Sequence, residues 1–232
     1  MVFLEKSHLN EKVVEMFKID FHVHSNLSYD CDTDLEEIAN KCKENNLDAV
    51  VVADHNETIL NVMEINGVTL IPAEEIFTRD GEIIGIFLSQ KIEPFLSLSE
   101  TVIRIKEQNG IVYVPHPVDF YRKGGIGLKK LNEIIEYVDI IEVMNYKTLT
   151  KLENFISRKI ASKFNRRFGA GSDAHKVEDV GKCYIEFDTD NKQKVDSPYR
   201  LLELFNYPYF VKGTNRGLLK AINLKVRKML NT

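Results

Sequence analysis

The chain reads as a single-domain α/β protein built on a TIM-like barrel of about seven β/α units. Three observations predict this class. Short apolar segments alternate with helical ones along the chain. The first three segments form a β-α-β unit, which implies parallel strands. The length of 232 residues fits one such barrel and can bury a sizeable core. No Pro/Gly/Ser-rich linker or internal repeat divides the sequence. One domain over residues 1–232 is therefore expected, with 191–232 as a C-terminal helical extension.

The elements follow in order. "KIDFHVH" (18–24) reads as a strand, and Thr33 with Glu36 offers a capping box for a helix through about Asn46. "LDAVVVADH" (47–55) is apolar without alternation, as expected of a strand buried on both faces. "GVTLIPAEE" (67–75) is a third strand, and a turn at Arg79-Asp80-Gly81 returns the chain into "EIIGIFLS" (82–89). Helices are expected over 99–109, near 128–137 and over about 150–164. The strands "GIVYVPH" (110–116), "VDIIEVMN" (138–145), "RFGAGSDAH" (167–175) and "KCYIEF" (182–187) separate and follow them. Two C-terminal helices complete the expectation.

Composition excludes several classes. With 44% hydrophobic and 28% charged residues and a mean hydropathy of -0.22, the chain is globular rather than disordered. Its apolar runs fall well short of the roughly 20 residues a membrane span requires, and the N-terminus lacks a secretory layout, so a cytoplasmic protein is expected. Cys31, Cys42 and Cys183 are odd in number and widely spaced, which suggests neither a disulfide framework nor a thiolate zinc site. The net charge of -4 argues against nonspecific coating of nucleic acid. Charge is nevertheless uneven: Val211 to Thr232 carries six basic residues and no acid, leaving -10 on the remainder. Such a tail is a solvated helical face or a contact for anionic partners.

Polar residues collect where strands end. His22 and His24 close the first strand, His55 the second, Glu75 the third and His116 the "YVPH" strand, while Asp173 and His175 follow "RFGAG". In barrels the C-terminal ends of parallel strands converge on one face, so residues distant in sequence can meet there. The i, i+2 spacing of His22 and His24 puts both imidazoles on one side of their strand. Imidazoles and carboxylates without thiolates suit zinc, manganese or iron, and a carboxylate can bridge two ions.

These motifs carry a family resemblance. "DFHVHS" (20–25), Asp30, "ADHN" (53–56), "IPAEEIFT" (71–78), "VPHP" (114–117) and "GSDAH" (171–175) stand in one order over roughly residues 18–190. In these the chain resembles the PHP (polymerase and histidinol phosphatase) family of metal-dependent phosphoesterases. The resemblance implies a distorted seven-stranded β/α barrel with two or three divalent ions at its mouth. It implies that His22, His24, Glu75 and Asp173 hold one ion, that Glu75 bridges to a second bound by His116, and that Asp30, His55 and His175 hold a third. Glu75 is preferred over Glu74 because it takes the acidic place of the family's "GxEI" pattern, with Ala73 where glycine is usual. Glu82 stands where members often carry a histidine, and it is either a substitute ligand or an exposed turn residue.

The implied chemistry is hydrolysis of a small phosphomonoester or nucleotide end by a metal-activated hydroxide, with no side-chain nucleophile. Arg122 and Lys123, on a glycine-ended loop past His116, are candidates for gripping the phosphoryl group, Arg122 as the catalytic cation. Asn145, at the end of its strand, is a candidate substrate contact. Only 40 residues separate Glu75 from His116, room for one hairpin and one helix, so an open mouth is expected. Small phosphorylated molecules are the expected partners, with short RNA or nucleotides next. The competing class is a noncatalytic RNA-binding barrel resembling an archaeal-type ribonuclease P protein subunit, which the basic tail would suit.

Overall fold

The computed structural model describes residues 16–121, 124–189 and 194–217. One sheet of ten strands curls into a nearly closed barrel. Its strands are β1 (Met16–Val23), β2 (Ala49–His55), β3 (Met63–Ile65), β4 (Val68–Thr78), β5 (Gly81–Ile86), β6 (Ile111–Val114), β7 (Ile140–Asn145), β8 (Arg167–Gly171), β9 (Cys183–Asp188) and β10 (Tyr209–Gly213). The helices are α1 (Leu35–Glu44), α2 (Leu98–Glu107), α3 (Gly127–Ile134), α4 (Lys151–Lys163) and α5 (Pro198–Glu203). Neighbours run β10-β9-β1-β2-β4-β5-β6-β7-β8, with β3 on the edge of β4.

The barrel class expected from the sequence is present, with more strands than seven. β1, β2 and β4 pair in parallel, as do β6, β7 and β8. The antiparallel β5 lies between the two groups, leaving β4 and β6 pointing the same way. Beyond β1 the sheet gains β9 and β10, each antiparallel to its neighbour. The ends meet where a parallel bridge joins Val23 to Ala174, and His22 O accepts from Asp173 N at 2.6 Å. All six parallel strands therefore deliver their C-terminal ends to one mouth.

Both faces of the sheet are buried, which is why "AVVVA" lacks alternation. Ala49, Val51 and Ala53 point into the barrel with Phe21, Ile71, Ile84 and Tyr113. Val50 and Val52 point outward onto Ile38, Ala39 and Cys42 of α1. Across the barrel, Val112, Val114, Ile141 and Val143 pack against residues of α2, α3 and α4. Under the mouth the rings of Phe21 and Tyr113 lie parallel, with centroids 6.0 Å apart. Each large side chain buried this way contributes roughly 1.5–3 kcal/mol.

Two local expectations need correction. The capping box of α1 is Asp34 with Glu37, one residue later than Thr33 with Glu36. Both pairs have the required spacing, but Thr33 is buried and its carbonyl is committed to Asn26 N. Residues Tyr209–Gly213, expected to be helical, form β10, because β9 presents an edge on which this β-branched and aromatic stretch can pair.

Candidate metal centre

The strand ends build the site from its floor upward. β1 puts His22 and His24 on one side, and their Nε2 atoms lie 3.1 Å apart, both buried. β4 puts Glu75 opposite them. Its Oε1 is 3.4 Å from His22 Nε2 and 3.2 Å from His116 Nε2, while its Oε2 is 3.3 Å from His24 Nε2 and 3.1 Å from His55 Nδ1. Each oxygen thus serves a different pair of imidazoles, as a bridging carboxylate would. Asp173 Oδ1 closes the group at 3.9 Å from His22 Nε2 and 3.5 Å from His24 Nε2. On the outer side, Asp30 Oδ2 lies 3.2 Å from His175 Nε2, and Asp30 Oδ1 lies 3.8 Å from His55 Nε2. Glu82 reaches His116 Nε2 at 3.5 Å through Oε2.

Hydrogen bonds behind the imidazoles decide what faces the centre. Ser28 Oγ donates to Asp54 Oδ1 at 2.9 Å, so it can only accept from His24 Nδ1, 3.0 Å away. Ser25 N and Ser25 Oγ also donate to Asp54, at 2.6 and 2.7 Å. His22 Nδ1 faces Glu142 Oε1 at 3.4 Å. Both Nδ1 atoms therefore carry protons, and both Nε2 lone pairs point inward. Two lone pairs 3.1 Å apart among carboxylate oxygens form a hole lined by acceptors, which a cation or a trapped proton must fill. The donor set thus fits divalent ions. Ligand atoms of His22, His24 and Asp173, of His22, Glu75 and His116, and of His24, His55 and His175 can each gather within 4.8 Å.

The electrostatics agree. Burial alone would depress His22, but Glu75, Asp173 and Glu142 outweigh it and hold its pKa well above the ordinary value. Burial pushes His24 well below, with His175 and His22 adding to that push. One imidazole keeps the proton that the pair can share. Glu75, although buried, is held well below the usual carboxylate range by His22 and by hydrogen bonds from His116, His22 and His55. Burial and the charge of Glu75 push Glu82 up to about 7.

Glu82, left open between a ligand and an exposed turn residue, turns inward to the cluster. Glu74 points the other way and accepts from Ile92 N at 2.9 Å, which favours Glu75 as the inward acid. Asn145 Nδ2 donates to Glu142 Oε2 at 2.9 Å and to Asp173 Oδ2 at 3.3 Å, so it braces the acids around it. His116 and Asp173 adopt left-handed backbone angles, φ 25° and 52°. Such strain concentrates at functional sites, and here Glu142 Oε2 accepts from His116 N and His22 O from Asp173 N. Arg122 and Lys123 lie outside the described residues.

Sequence reasoning missed two residues. Glu142 is a buried hub that also accepts from Tyr113 Oη at 3.0 Å; its signal was an acid inside the apolar run "DIIEVMN". Lys147, two residues past Asn145, donates from Nζ to His175 Nδ1 at 2.5 Å and lies 3.2 Å from Asp173 Oδ1. Nothing in its spacing marked it. The cavity over the cluster holds about 630 Å³ and is lined by Lys147, the outer ligand candidates and the β4–β5 hairpin.

Comparisons with known proteins give the family and the fold. A PHP domain model matches residues 20–77, and a PHP-associated model matches residues 151–202. An uncharacterized protein of Methanocaldococcus jannaschii is 36% identical over 196 residues, 81% of this chain and 78% of that one. The chain belongs to the PHP family. Solved structures share the fold. PsfC of Pseudomonas syringae superposes with a TM-score of 0.69 at 17% identity, over 94% of this chain and all of that one. A two-domain Bacteroides vulgatus protein containing a predicted PHP-like metal-dependent phosphoesterase gives 0.63 at 18%, over 86% of this chain and 65% of that one. Endonuclease Q, bound to a duplex with an abasic lesion at its active site, gives 0.64 at 16%, over 87% and 60%. At these identities the likeness speaks for the fold. PHP membership and the acceptor-lined cluster together support a metal-dependent hydrolase. Among the described residues no helix is long and apolar enough to cross a membrane.

Proposed function

We propose that the protein is a metal-dependent phosphoesterase that hydrolyses a small phosphomonoester or a nucleotide end. The observation that carries this reading is the inward convergence of His22 and His24 Nε2, 3.1 Å apart, against Glu75 and Asp173. His22, His24, Glu75 and Asp173 would hold one ion, Glu75 and His116 with Glu82 a second, and Asp30, His55 and His175 a third. Zinc, manganese and iron all suit this set, and Glu82 in place of an imidazole favours oxygen-seeking manganese. Bound divalent ions supply positive charge to phosphoryl oxygens and make water more acidic.

The chain's own residues account for the rest. Ser28 and Glu142 keep protons on the far nitrogens of His22 and His24, so their near nitrogens remain ligands. Asn145 fixes the Asp173 carboxylate. Lys147 brings a point charge to the cavity wall, where it would neutralise charge on the transferring group, a role the sequence alone assigned to Arg122. Among the described residues the β4–β5 hairpin lines the open mouth, while α2 packs on the outside of the barrel, and such a mouth suits a small substrate. The Endonuclease Q neighbour holds a DNA duplex, which keeps a polynucleotide end within this reading.

The test is metal analysis of the purified chain with hydrolysis of 4-nitrophenyl phosphate in added manganese. Metal should copurify or be restorable, and His22→Ala should lose metal and hydrolysis together while its circular dichroism stays native. A wild-type chain that binds no transition metal and leaves the ester intact would move the reading to a noncatalytic barrel.

A further inference from the structure

The cavity is larger than a phosphoryl group needs, and its outer wall is built from different material than its floor. At about 630 Å³ it falls in the range that holds an organic ligand. Beyond the imidazoles the wall turns aromatic. The Phe77 ring lies 4.8 Å from that of His55, and Phe95 follows it outward, with 63% of its surface exposed. Arg79 lines the same wall.

Phe95 is held there against its preferences. Its φ of 62° is left-handed, a conformation that residues with a Cβ adopt at a cost. Three hydrogen bonds fix it: Phe95 N donates to Phe77 O at 2.6 Å, Arg79 Nε donates to Phe95 O at 2.9 Å, and Arg79 N donates to Leu96 O at 3.0 Å. The loop is thus clamped to the end of β4 in a conformation that presents an aromatic ring to cavity and solvent instead of to the core. Among the described residues no carboxylate oxygen lies within ion-pair distance of Arg79; its neighbour Asp80, which pairs with Lys130 at 3.1 Å, attracts it from farther off. A strained backbone supporting an exposed ring beside a guanidinium on the cavity wall suits recognition better than stability.

We infer that Phe95 and Arg79 form a leaving-group subsite for a planar aromatic ring, so that the preferred substrates are aryl or nucleoside phosphate esters rather than aliphatic ones. The inference rests on the phosphoesterase reading above. The phosphoryl group would lie over the ligand cluster, the ring on Phe95, and polar ring substituents would face Arg79. Stacking on an aromatic side chain tolerates many rings because each presents a π-face.

Probes that are uncleavable or cleaved only slowly separate this subsite from the chemistry. Calorimetric binding of methylphosphonate, phenylphosphonate and adenosine 5′-O-thiomonophosphate to manganese-loaded protein would be compared for wild type, Phe95→Ala, Phe95→Tyr and Phe95→Asn. Phenylphosphonate should bind wild type about tenfold more tightly than methylphosphonate. In Phe95→Ala and Phe95→Asn the ratio should fall to within about twofold, and Phe95→Tyr should keep it. Asparagine tolerates the left-handed region, so Phe95→Asn should melt no lower than wild type, which separates lost recognition from lost folding. A greater loss for the thiomonophosphate than for phenylphosphonate identifies a nucleobase, and an equal loss identifies a simple aryl group. If wild type binds both phosphonates with equal affinity, or Phe95→Ala keeps the preference, the subsite is refuted while the phosphoesterase reading stands. If neither phosphonate binds, both fall.

Discussion

His22 and His24 can act as ligands only because other residues hold their far nitrogens, and that dependence makes Glu142 the most informative position to change. Its carboxylate meets His22 Nδ1, His116 N, Asn145 Nδ2 and Tyr113 Oη, spanning three strands. Glu142→Gln keeps the size and one acceptor but loses charge and one oxygen. It should weaken metal affinity by roughly 10- to 100-fold with little change in melting temperature, measured by titration with a chelator-buffered metal. Unchanged affinity would remove Glu142 from the support of the site. Lys147 tests a different question. If its ammonium serves the transferring phosphoryl group, Lys147→Met should slow hydrolysis by roughly 10- to 1000-fold at unchanged metal content. If it merely balances Asp173, metal content should shift and the rate per bound metal should not. The histidines were legible in the sequence because i, i+2 spacing at a strand end is a local pattern. Glu142 and Lys147 were not, because their roles exist only through neighbours on other strands.

Among the elements, β8 matters less for what it contributes than for what it omits. Its sequence "RFGAG" places Gly169 and Gly171 toward crowded partners. A Cβ at Gly171 would lie 2.3 Å from His22 Cβ and 2.6 Å from Glu142 Oε1, and one at Gly169 would lie 2.4 Å from Tyr113 Cε2. The close approach of β8 to β1 is what lets Asp173 N reach His22 O and bring Asp173 to the two histidines. Gly171→Ala should therefore push β8 away, lowering stability by about 1–3 kcal/mol and metal affinity along with it, read from urea unfolding and metal titration. A stable variant with full metal affinity would show that the strands can separate without loss. Alternation and caps made most elements legible, and the capping box of α1 was misplaced by only one residue. β10 was not legible, because its stretch becomes a strand only where the edge of β9 is available to pair.

At the scale of the whole molecule the sequence conveyed the barrel and the mouth on which the candidate ligands gather, but not the strand that follows β9. The basic stretch from Lys212 to Lys228 was read as a solvated helical face or a contact for anionic partners, and most of it lies outside the described residues. The direction of β10 now bears on that expectation. β10 runs antiparallel to β9, and β9 antiparallel to β1, so β10 heads toward the same mouth as β1. Past its end, Arg216 N donates to Tyr146 O, and Arg216 pairs with Asp179 at 2.7 Å, next to the segment that carries Asn145 and Lys147. Beyond Gly217 the sequence carries Lys220, Lys225, Arg227 and Lys228 and no acid, a charge pattern that suits a polyanion. Reversing charge at Lys220, Lys225 and Lys228 should slow hydrolysis of a short RNA at low salt and spare a mononucleotide. Each lost phosphate contact should also flatten the logarithmic salt dependence of RNA binding by a slope of about 0.7. Rates on both substrates at two salt concentrations decide the matter. Equal rates for the triple variant and wild type on both would mean that the basic stretch does not guide substrate, and that small phosphate esters are the whole of the protein's chemistry.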